Sequence, residues 1–434
     1  MEQKAKMEIP RSPNGLKFVL RSFHYRNYRL FFGGQGVSLI GTWIQNIAVS
    51  WLVYSLTNSA LLLGVVGFAG QIPTFLLTPF AGVLADRWNR RKILVITQTL
   101  AMIQAFALAL LVLSGNISIW HLIPLSAFLG LVNAFDMPTR QSFVVDIIEK
   151  KEDLGNAIAL NSSMFNSTRL IGPSVAGMLI AGVGEGICFL LNGISYIAVI
   201  LALLAMKIKP RKTGAKKTVV FKEFKEGLSY AFGFVPIKYI LSILALISLV
   251  GMPYSILMPV FAREILKGGP HTLGFLMGAS GTGALAGAYF LASRKNSHGL
   301  EKIIPLAAGA FGTGLVIFSQ SRLLWLSLTL LVLTGFGMMV NMASCNTVLQ
   351  TIVDDDKRGR VMSLYTTAFM GMMPFGSLLG GSLASRIGAT NTVLIGGIFC
   401  IAGAFIFAGR LPAFRKAVIA RQTRAGGQPD ARPI

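Results

Sequence analysis

The stretch Gly82-Val-Leu-Ala-Asp-Arg-Trp-Asn-Arg-Arg-Lys-Ile-Leu94 is a short charged turn between two apolar segments. Apolar sequence leads into it from Leu61 and resumes at Ile93, and four cations, one carboxylate and a glycine lie in between. Two apolar segments of about 20 residues joined in this way are typical of a transmembrane hairpin with its loop on one membrane face. The stretch therefore predicts a membrane protein.

The composition supports this prediction. Of the 434 residues, 53% are hydrophobic and 13% are charged, whereas soluble domains carry about 25% charged residues. Three cysteines lie in apolar runs without metal-ligand spacing, so we expect neither a disulfide framework nor a zinc site, and no cofactor. The first 29 residues are basic and polar without the apolar core of a signal peptide, so the first apolar run is expected to be a span.

Apolar runs recur along nearly the whole chain. They predict an all-α membrane protein with twelve transmembrane helices, each long enough for a hydrocarbon core of about 30 Å. Spans 1, 5, 7 and 11 contain polar residues and should line something other than lipid. The predicted spans are 30–56, 60–85, 92–114, 118–140, 156–182, 186–206, 237–261, 271–293, 302–319, 323–349, 359–385 and 391–410.

The distribution of cations predicts the orientation. With twelve spans, 35 of the 40 lysines and arginines fall on the side of the termini, four on the other side, and Arg169 within a span. The positive-inside rule then places both termini in the cytoplasm. The net charge of +23 thus reflects topology and favours contact with anionic lipid head groups rather than nucleic acid.

The longest hydrophilic connection, 207–236, divides the spans six and six. Phe221, Phe224, Leu228 and Phe232 would share one helical face, which predicts a helix in the membrane interface or a solvated tether. The predicted organisation is a basic cytoplasmic N-terminus (1–29), an N-terminal six-helix bundle (30–206), the linker (207–236), a C-terminal six-helix bundle (237–410) and a basic cytoplasmic tail (411–434).

The two bundles also share sequence. Asn133–Asp146 aligns with Asn341–Asp354 at a constant offset of 208, and Gly155–Phe165 with Gly359–Phe369 at an offset of 204. A parallel repeat of this kind predicts two halves related by pseudo-two-fold symmetry, with a substrate site near the midplane between them.

The charged turn resembles the signature loop of the major facilitator superfamily, G-x-L-a-D-R-x-G-R-K, except at Asn89, where the family usually has glycine. The blocks at 24–45, 134–143 and 160–173 resemble a narrower group, the transmembrane secretion effectors related to the enterobactin exporter. The resemblance implies export of siderophores or drugs by alternating access. It also implies a cytoplasmic gate in which an acid at the place of Asp136 joins Arg90. The predicted gate residues are Gly82, Asp86, Arg87, Arg90, Arg91, Asp136 and Arg140.

Two features are candidates for the substrate site. Gln35, Ser38, Thr42 and Gln45 form one polar stripe on span 1, which predicts a cavity lining or, alternatively, helix–helix hydrogen bonds. Arg169 lies near the middle of span 5, where it would bind an anionic substrate or a coupling carboxylate, or form a permanent structural pair. The predicted lining residues are Gln35, Thr42, Gln45, Asn46, Asn133, Asn166, Arg169, Tyr254, Asn341 and Tyr365.

Small residues recur in spans 5 and 11, where they predict either dense helix packing or a seam that rocks during transport. These residues are Gly172, Pro173, Gly177, Gly376, Gly380 and Gly381.

Asp136 is the acid that is most embedded in a span, so it is the candidate for proton coupling, with a gate role as the alternative. Asp86 is expected to meet the start of span 11, around 358–361, as a latch. No catalytic constellation is evident, so we do not expect an enzyme.

Together these features predict a monomeric secondary transporter in the plasma (bacterial inner) membrane. It would export a small amphipathic compound by proton antiport. A lysophospholipid transporter and a sensor of the same fold without flux are the alternatives.

Overall fold

The computed structural model describes residues 20–208, 229–294 and 299–424. These residues form helices joined by short turns, and the described ranges contain no strand. The predicted all-α fold is confirmed. Most of the predicted interfacial helix, including Phe221, Phe224 and Leu228, lies outside the described residues.

Twelve α-helical segments carry the fold. They are α1 (Arg26–Thr57), α2 (Ala60–Arg87), α3 (Arg90–Leu113), α4 (Ile119–Ile147), α5 (Lys151–Ala205), α6 (Val235–Leu246), α7 (Pro270–Ala292), α8 (Leu300–Gln320), α9 (Leu324–Ile352), α10 (Asp355–Met370), α11 (Met373–Ile387) and α12 (Ala389–Arg424).

Ten of the described helices are long and apolar enough to cross a membrane. Two segments account for the difference from the twelve predicted spans. Segment α5 covers predicted spans 5 and 6, because it consists of two helices that meet at a kink at Gly184, where the φ of 79° favours glycine. Predicted span 11 is divided into α10 and α11 around Gly371, and each piece is short. The number twelve stays a prediction.

The segment after α6 is irregular because its prolines interrupt the backbone hydrogen-bond pattern. It continues as helical turns of mixed geometry to Ile265, with Pro253 and Pro259 each near the start of a turn. Tyr254 lies in this segment. Predicted span 7 therefore corresponds to Val235–Ile265.

Successive helices run in alternate directions, so their ends fall on two faces. The basic face contains the helix ends at Arg26, Arg87, Arg90, Ile147, Lys151, Leu300 and Asp355. The opposite face contains the helix ends at Thr57, Ala60, Leu113, Ile119, Pro270 and Ile387.

Helix packing separates the chain into two groups. In the first half, α1 and α3 pack on α5, and α2 and α3 pack on α4. In the second half, α7 and α8 pack on α9, and α12 packs on α8. The main contacts across the halves are α2 with α11 and α5 with α7.

Glycines allow both contacts across the halves. A Cβ atom on Gly381 would lie 2.7 Å from the carbonyl oxygen of Ala60 and 2.8 Å from the Cα of Gly64. A Cβ on Gly177 would lie 2.7 Å from the carbonyl oxygen of Pro270. Because Ala60 and Pro270 begin their helices on the opposite face, the two halves are joined on that side.

The basic face has fewer contacts between the halves within the described residues. Helix α10 packs on α6 and α9 of its own half, and among the described residues it does not pack closely on α2 or α4. The close contacts that the structure describes between the halves thus lie toward the opposite face.

Helix α12 continues past the predicted end of the last span. Phe414 and Val418 are buried against the second half, and Arg415 pairs with the buried carboxylate of Glu301 at 2.6 Å. The first part of the predicted basic tail is thus a packed helix rather than a free segment.

Candidate functional site

Six of the ten predicted lining residues lie near the middle of helices of the first half. Thr42, Gln45, Asn46, Asn133, Asn166 and Arg169 each fall within about five residues of the midpoint of a span, when α5 is divided at Gly184. At 1.5 Å per residue this places them within about 8 Å of one level.

Arg169 is the residue of this group that bears a charge. It is half-buried, and it forms no side-chain hydrogen bond or ion pair with any residue that the structure describes. A cation at this depth without a protein partner is available to a ligand.

Gln45 does not line a cavity, which corrects the prediction. Its Nε2 donates to Gln104 Oε1 at 2.9 Å, and Asn192 Nδ2 donates to Gln45 Oε1 at 2.8 Å. Gln104 in turn donates to the carbonyl of Leu125 at 3.3 Å. These buried amides connect α1, α3, α4 and α5, as the alternative of helix–helix hydrogen bonding predicted.

Gln35 is also buried within the first half rather than lining a cavity. Its amide oxygen lies 2.8 Å from Nη1 of Arg140 in the amide orientation that satisfies both groups. Thr42 is half-buried and donates to the carbonyl of Ser38 at 2.9 Å. Asn46, four residues after Thr42, is exposed. It lies on the face of α1 opposite Val37. Thr42 and Asn46 are thus the predicted lining residues of α1 whose side chains are not buried.

Three predicted residues of the second half are likewise engaged in packing. Asn341 donates to the carbonyl of Ile304 at 3.0 Å, and Tyr365 donates to the carbonyl of Met342 at 3.1 Å. Both side chains are buried in the described arrangement, and their assignment as lining residues stays a prediction. Tyr254 is buried as well, and its hydroxyl lies 2.8 Å from the hydroxyl of Ser280 on α7.

Asp136 is the centre of a buried polar network. Its carboxylate is 1% exposed, accepts hydrogen bonds from Thr97 Oγ1 at 2.9 Å and Gln98 Nε2 at 2.7 Å, and forms an ion pair with Arg140. Helix α4 continues to Ile147, beyond the predicted end of span 4 at residue 140. Asp136 thus lies about 16 Å from the end of the helix.

The predicted contact between Arg90 and Asp136 is absent for the same reason. Arg90 instead lies 3.1 Å from both carboxylate oxygens of Asp146 and donates to the carbonyl of Ser142. Asp146 is ten residues, or about 15 Å, closer to the basic face than Asp136. Arg91 donates to the carbonyl of Leu204 at 2.7 Å.

The other predicted gate residues contribute little packing. A Cβ on Gly82 would meet nothing within 4 Å, so this glycine is not required for a close helix contact. Arg87 is exposed. The side chain of Asp86 lies outside what the structure describes, so its latch role stays a prediction.

Two polar contacts were missed by the sequence analysis. On the basic face, the Tyr25 hydroxyl donates to Asp153 at 2.6 Å, and this hydrogen bond raises the pKa of Tyr25 above its usual value. On the opposite face, the Tyr54 hydroxyl donates to Glu264 of the second half. Both pairs join residues far apart in sequence, so no local spacing could indicate them.

The predicted hinge residues all lie at close helix contacts. A Cβ on Gly172 would be 2.6 Å from the Cβ of Trp43, and one on Gly376 would be 2.8 Å from the carbonyl oxygen of Leu249. Gly380 faces Pro253, Pro173 is buried in α5, and Gly177 and Gly381 form the contacts across the halves. Dense packing accounts for every member, and rocking at these contacts stays a prediction.

Known proteins resemble the chain over nearly its whole length. The staphyloferrin A transporter of Staphylococcus aureus is 27% identical, over 88% of this chain and 96% of the relative. The multidrug efflux pump Tap of Mycolicibacterium fortuitum is 26% identical, over 82% and 88%. Macrolide efflux protein A of Streptococcus pyogenes is 24% identical, over 87% and 96%.

Solved structures support the fold. A bacterial homologue of the human lysosomal transporter Spinster matches with a TM-score of 0.72 at 13% identity, covering 90% of this chain and 97% of that structure. A nucleoside transporter matches with a TM-score of 0.65 at 13% identity, covering 89% and 98%. Residues 20–429 match the family described as transmembrane secretion effector. The chain therefore belongs to the transmembrane secretion effector family of major facilitator transporters, and it is a multi-pass membrane transporter of the efflux type rather than an enzyme.

Proposed function

We propose that this chain exports a small amphipathic compound, siderophore-like or drug-like, by alternating access with proton antiport. Segments 30–206 and 237–410 act as the two moving bundles, and 207–236 is the connection between them. The relatives support the substrate class, since they are a siderophore transporter, a multidrug pump and a macrolide efflux protein.

The observation that carries this proposal is the unpartnered guanidinium of Arg169. Placing an arginine at the centre of a membrane helix costs roughly 2.5–3.5 kcal/mol on insertion scales. No described residue offsets this free-energy cost through a contact with the Arg169 side chain. We infer that a bound ligand does so. Thr42, Asn46, Asn133 and Asn166 supply neutral polar groups at the same level, so an amphipathic molecule would find both polar and apolar contacts there.

The open side defines the state of the transporter. The positive-inside rule assigns the basic face to the cytoplasm, with anionic lipid head groups around it. The described arrangement is then open to the cytoplasm and ready to take up its cargo. In the opposite state the basic face must close, and there we assign Asp86 to the start of α10 as the latch. One chain contains both bundles, so a monomer suffices.

Asp136 is the group to which we assign the proton. Protonation of this buried carboxylate would remove its charge and weaken its ion pair with Arg140. Because Arg140 also contacts Gln35, that change would be transmitted from α4 to α1. Helix α1 bears Thr42 and Asn46, so protonation and cargo binding would act on the same helix.

Transport in inverted membrane vesicles tests the proposal. The panel should contain staphyloferrin A, a macrolide and a labelled lysophospholipid, each with and without a lumen more acidic than the medium. We expect uptake of a siderophore or a drug that depends on the acidic lumen. Equilibration at the same rate without a gradient would exclude antiport, and flux of none of the compounds would favour the sensor alternative.

Arginine variants connect the flux to the site. Arg169→Gln should reduce flux at least about tenfold, the loss expected for a charge-assisted hydrogen bond of roughly 1.5–3 kcal/mol. Arg386→Gln, which removes an exposed cation at the end of α11, is the matched control and should leave flux unchanged. Normal transport by Arg169→Lys would show that the planar guanidinium is dispensable.

A lysophospholipid is the second candidate cargo because an anionic head group would suit Arg169 equally well. Preferential uptake of the labelled lipid over the siderophore and the macrolide would establish that alternative.

A further inference from the structure

We propose that the exported compound is an anion whose charged group is held between Arg169 of the first half and the hydroxyl pair of Tyr254 and Ser280 of the second half. This inference rests on the proposed transport function and names the substrate class and the second part of the site. Binding at such a site would connect the two halves directly.

The hydroxyl pair has an unused hydrogen-bond donor. Tyr254 and Ser280 contain two O–H groups, and their 2.8 Å contact uses one of them, whichever residue donates. Neither side chain has another hydrogen-bond partner within the described part of the chain. One O–H group is therefore left to donate to a ligand. Tyr254 itself is buried, but Ser280 is half-buried, so the pair reaches open space on the side of Ser280.

The backbone contact between α5 and α7 brings this donor to Arg169. A Cβ on Gly281 would lie 3.2 Å from the carbonyl oxygen of Arg169 and 3.1 Å from the Cα of Leu170. Ser280 is the residue directly before Gly281. An added Cβ at these distances would be tightly packed, and small residues allow helix backbones to approach in this way. Main-chain packing therefore places the pair near the backbone of Arg169.

The chemistry of the three groups selects an anion. A guanidinium donates up to five N–H bonds in a planar fork, and a neighbouring O–H adds a donor from a different direction. A carboxylate or phosphate accepts both kinds of bond, whereas a cationic compound would be repelled by Arg169. Both carboxylate and phosphate anions therefore fit the site.

The site also suggests how cargo binding affects the conformation. The cation of the site lies on α5. Its two hydroxyls lie on the irregular segment after α6 and on α7, so the ligand contacts both halves. A ligand shifts an equilibrium by its difference in affinity between two states. Separation of α5 from α7 would remove one side of the site, so the anion should favour the arrangement in which these helices touch.

Equilibrium binding to the purified full chain in detergent tests this inference, with carboxyfluorescein as the anionic probe and ethidium as the cationic probe. The double variant Tyr254→Phe/Ser280→Ala removes both hydroxyls and should weaken binding of carboxyfluorescein about tenfold. Each single variant leaves one hydroxyl able to donate, so its loss should be smaller. Arg169→Gln should abolish most of the remaining affinity for the anion without reducing that for ethidium.

The matched control is a second hydroxyl pair in the same half. Ser321 and Ser327 lie 2.9 Å apart at the opposite face, far in sequence from α7. The double variant Ser321→Ala/Ser327→Ala should bind carboxyfluorescein like the unmodified chain. Size-exclusion elution of each variant verifies folding, and the single variants keep the test valid if the Tyr254/Ser280 double variant does not fold.

The outcomes separate the two levels of the proposal. If Arg169→Gln loses the anion but the Tyr254/Ser280 double variant binds it unchanged, the hydroxyl pair is not part of the site and this inference fails while the transport proposal stands. If the unmodified chain binds no anion, this inference fails, while the transport proposal is decided separately by flux in inverted vesicles. Competition by citrate or by lysophosphatidylglycerol would support the anion site and identify a free carboxylate or a lipid phosphate as its source. Competition by neither would overturn it.

Discussion

The hydroxyl of Tyr54, near the end of α1, donates a hydrogen bond to the carboxylate of Glu264 in the other half of the molecule. Arg263 lies 6.0 Å from the centre of the same tyrosine ring. This cluster is on the opposite face, on the same side as the Gly64–Gly381 and Gly177–Gly274 contacts. Polar and glycine contacts thus close the same side of the transporter, and the polar contact is the one that can be removed without steric change.

Tyr54→Phe should favour opening of the opposite face. The variant removes a hydrogen bond to a charged group, worth roughly 1.5–3 kcal/mol, so the population of the open state should rise about tenfold or more. Ser377→Cys, in a background without the native cysteines, places a thiol at the buried contact between α2 and α11. The rate of thiol labelling from that face then reports opening.

Tyr25→Phe is the control for this measurement. It removes the equivalent hydroxyl–carboxylate bond, to Asp153, on the basic face. Labelling at position 377 should not increase in this variant. Equal labelling rates in the Tyr54 variant and the parent would mean that the glycine contacts alone keep the face closed.

Asp136→Asn should uncouple export from the pH gradient. Asparagine retains a hydrogen-bond acceptor for Thr97 and Gln98 but cannot titrate, so exchange of labelled for unlabelled cargo should continue while gradient-driven uptake is lost. The measurement compares both modes in the same vesicles. Leaving Arg140 without its ion pair also costs about 3–5 kcal/mol of stability, so a control for destabilisation is needed.

Glu301→Gln supplies that control. Glu301 is 2% exposed and paired with Arg415, so its loss also breaks a buried carboxylate–arginine pair. This variant should lose stability to a similar extent and retain the dependence on the gradient. Gradient-driven uptake by the Asp136 variant would assign the proton to another group.

Adjacent residues on α1 should affect different properties. Gln45→Ala removes the hydrogen-bond partner of Gln104 Oε1 and of Asn192 Nδ2, at roughly 1–3 kcal/mol for each unsatisfied buried group, so it should lower the melting temperature clearly. Asn46→Ala removes an exposed side chain and should leave the melting temperature unchanged while reducing transport. Thermal unfolding in detergent and vesicle uptake measure the two effects. A reversed pattern would place Gln45 in the cavity and Asn46 in the packing.

This pair of residues also shows how far the sequence could predict the site. Polarity and helical spacing identify a stripe on span 1 that must avoid lipid, and in the structure Gln35, Ser38 and Gln45 are buried. They do not indicate which neighbours the stripe meets. The partners of Gln45 lie 59 and 147 positions away, so only the packed structure separates an interhelical bond from a cavity lining.

The end of α4 was predicted too early, and this limited the prediction of where Asp136 lies along the helix and which residue it pairs with. Hydropathy detects the apolar centre of a span, but α4 continues for a further seven residues through the polar sequence to Ile147. The longer helix separates Asp136 from the helix end where Asp146's partner Arg90 lies, and Asp136 pairs with Arg140 instead. The fold itself depends on apolar length and on glycine contacts, which the sequence displays directly, and it was predictable to that extent.

Gly381→Ala tests whether the glycine contact between α2 and α11 is mobile. The added Cβ would lie within 3.0 Å of two backbone atoms of α2, so the closed arrangement of the opposite face must shift. The helix itself should tolerate the change, because alanine is favoured over glycine in helices by about 1 kcal/mol. We therefore expect faster labelling at position 377 and reduced transport, with the protein still folded.

Gly182→Ala, where a Cβ meets nothing within 4 Å, should alter neither property. If Gly381→Ala instead transports normally with unchanged labelling, α2 and α11 do not rely on this contact to close the opposite face. The motion between the halves must then be sought at the contact of α5 with α7.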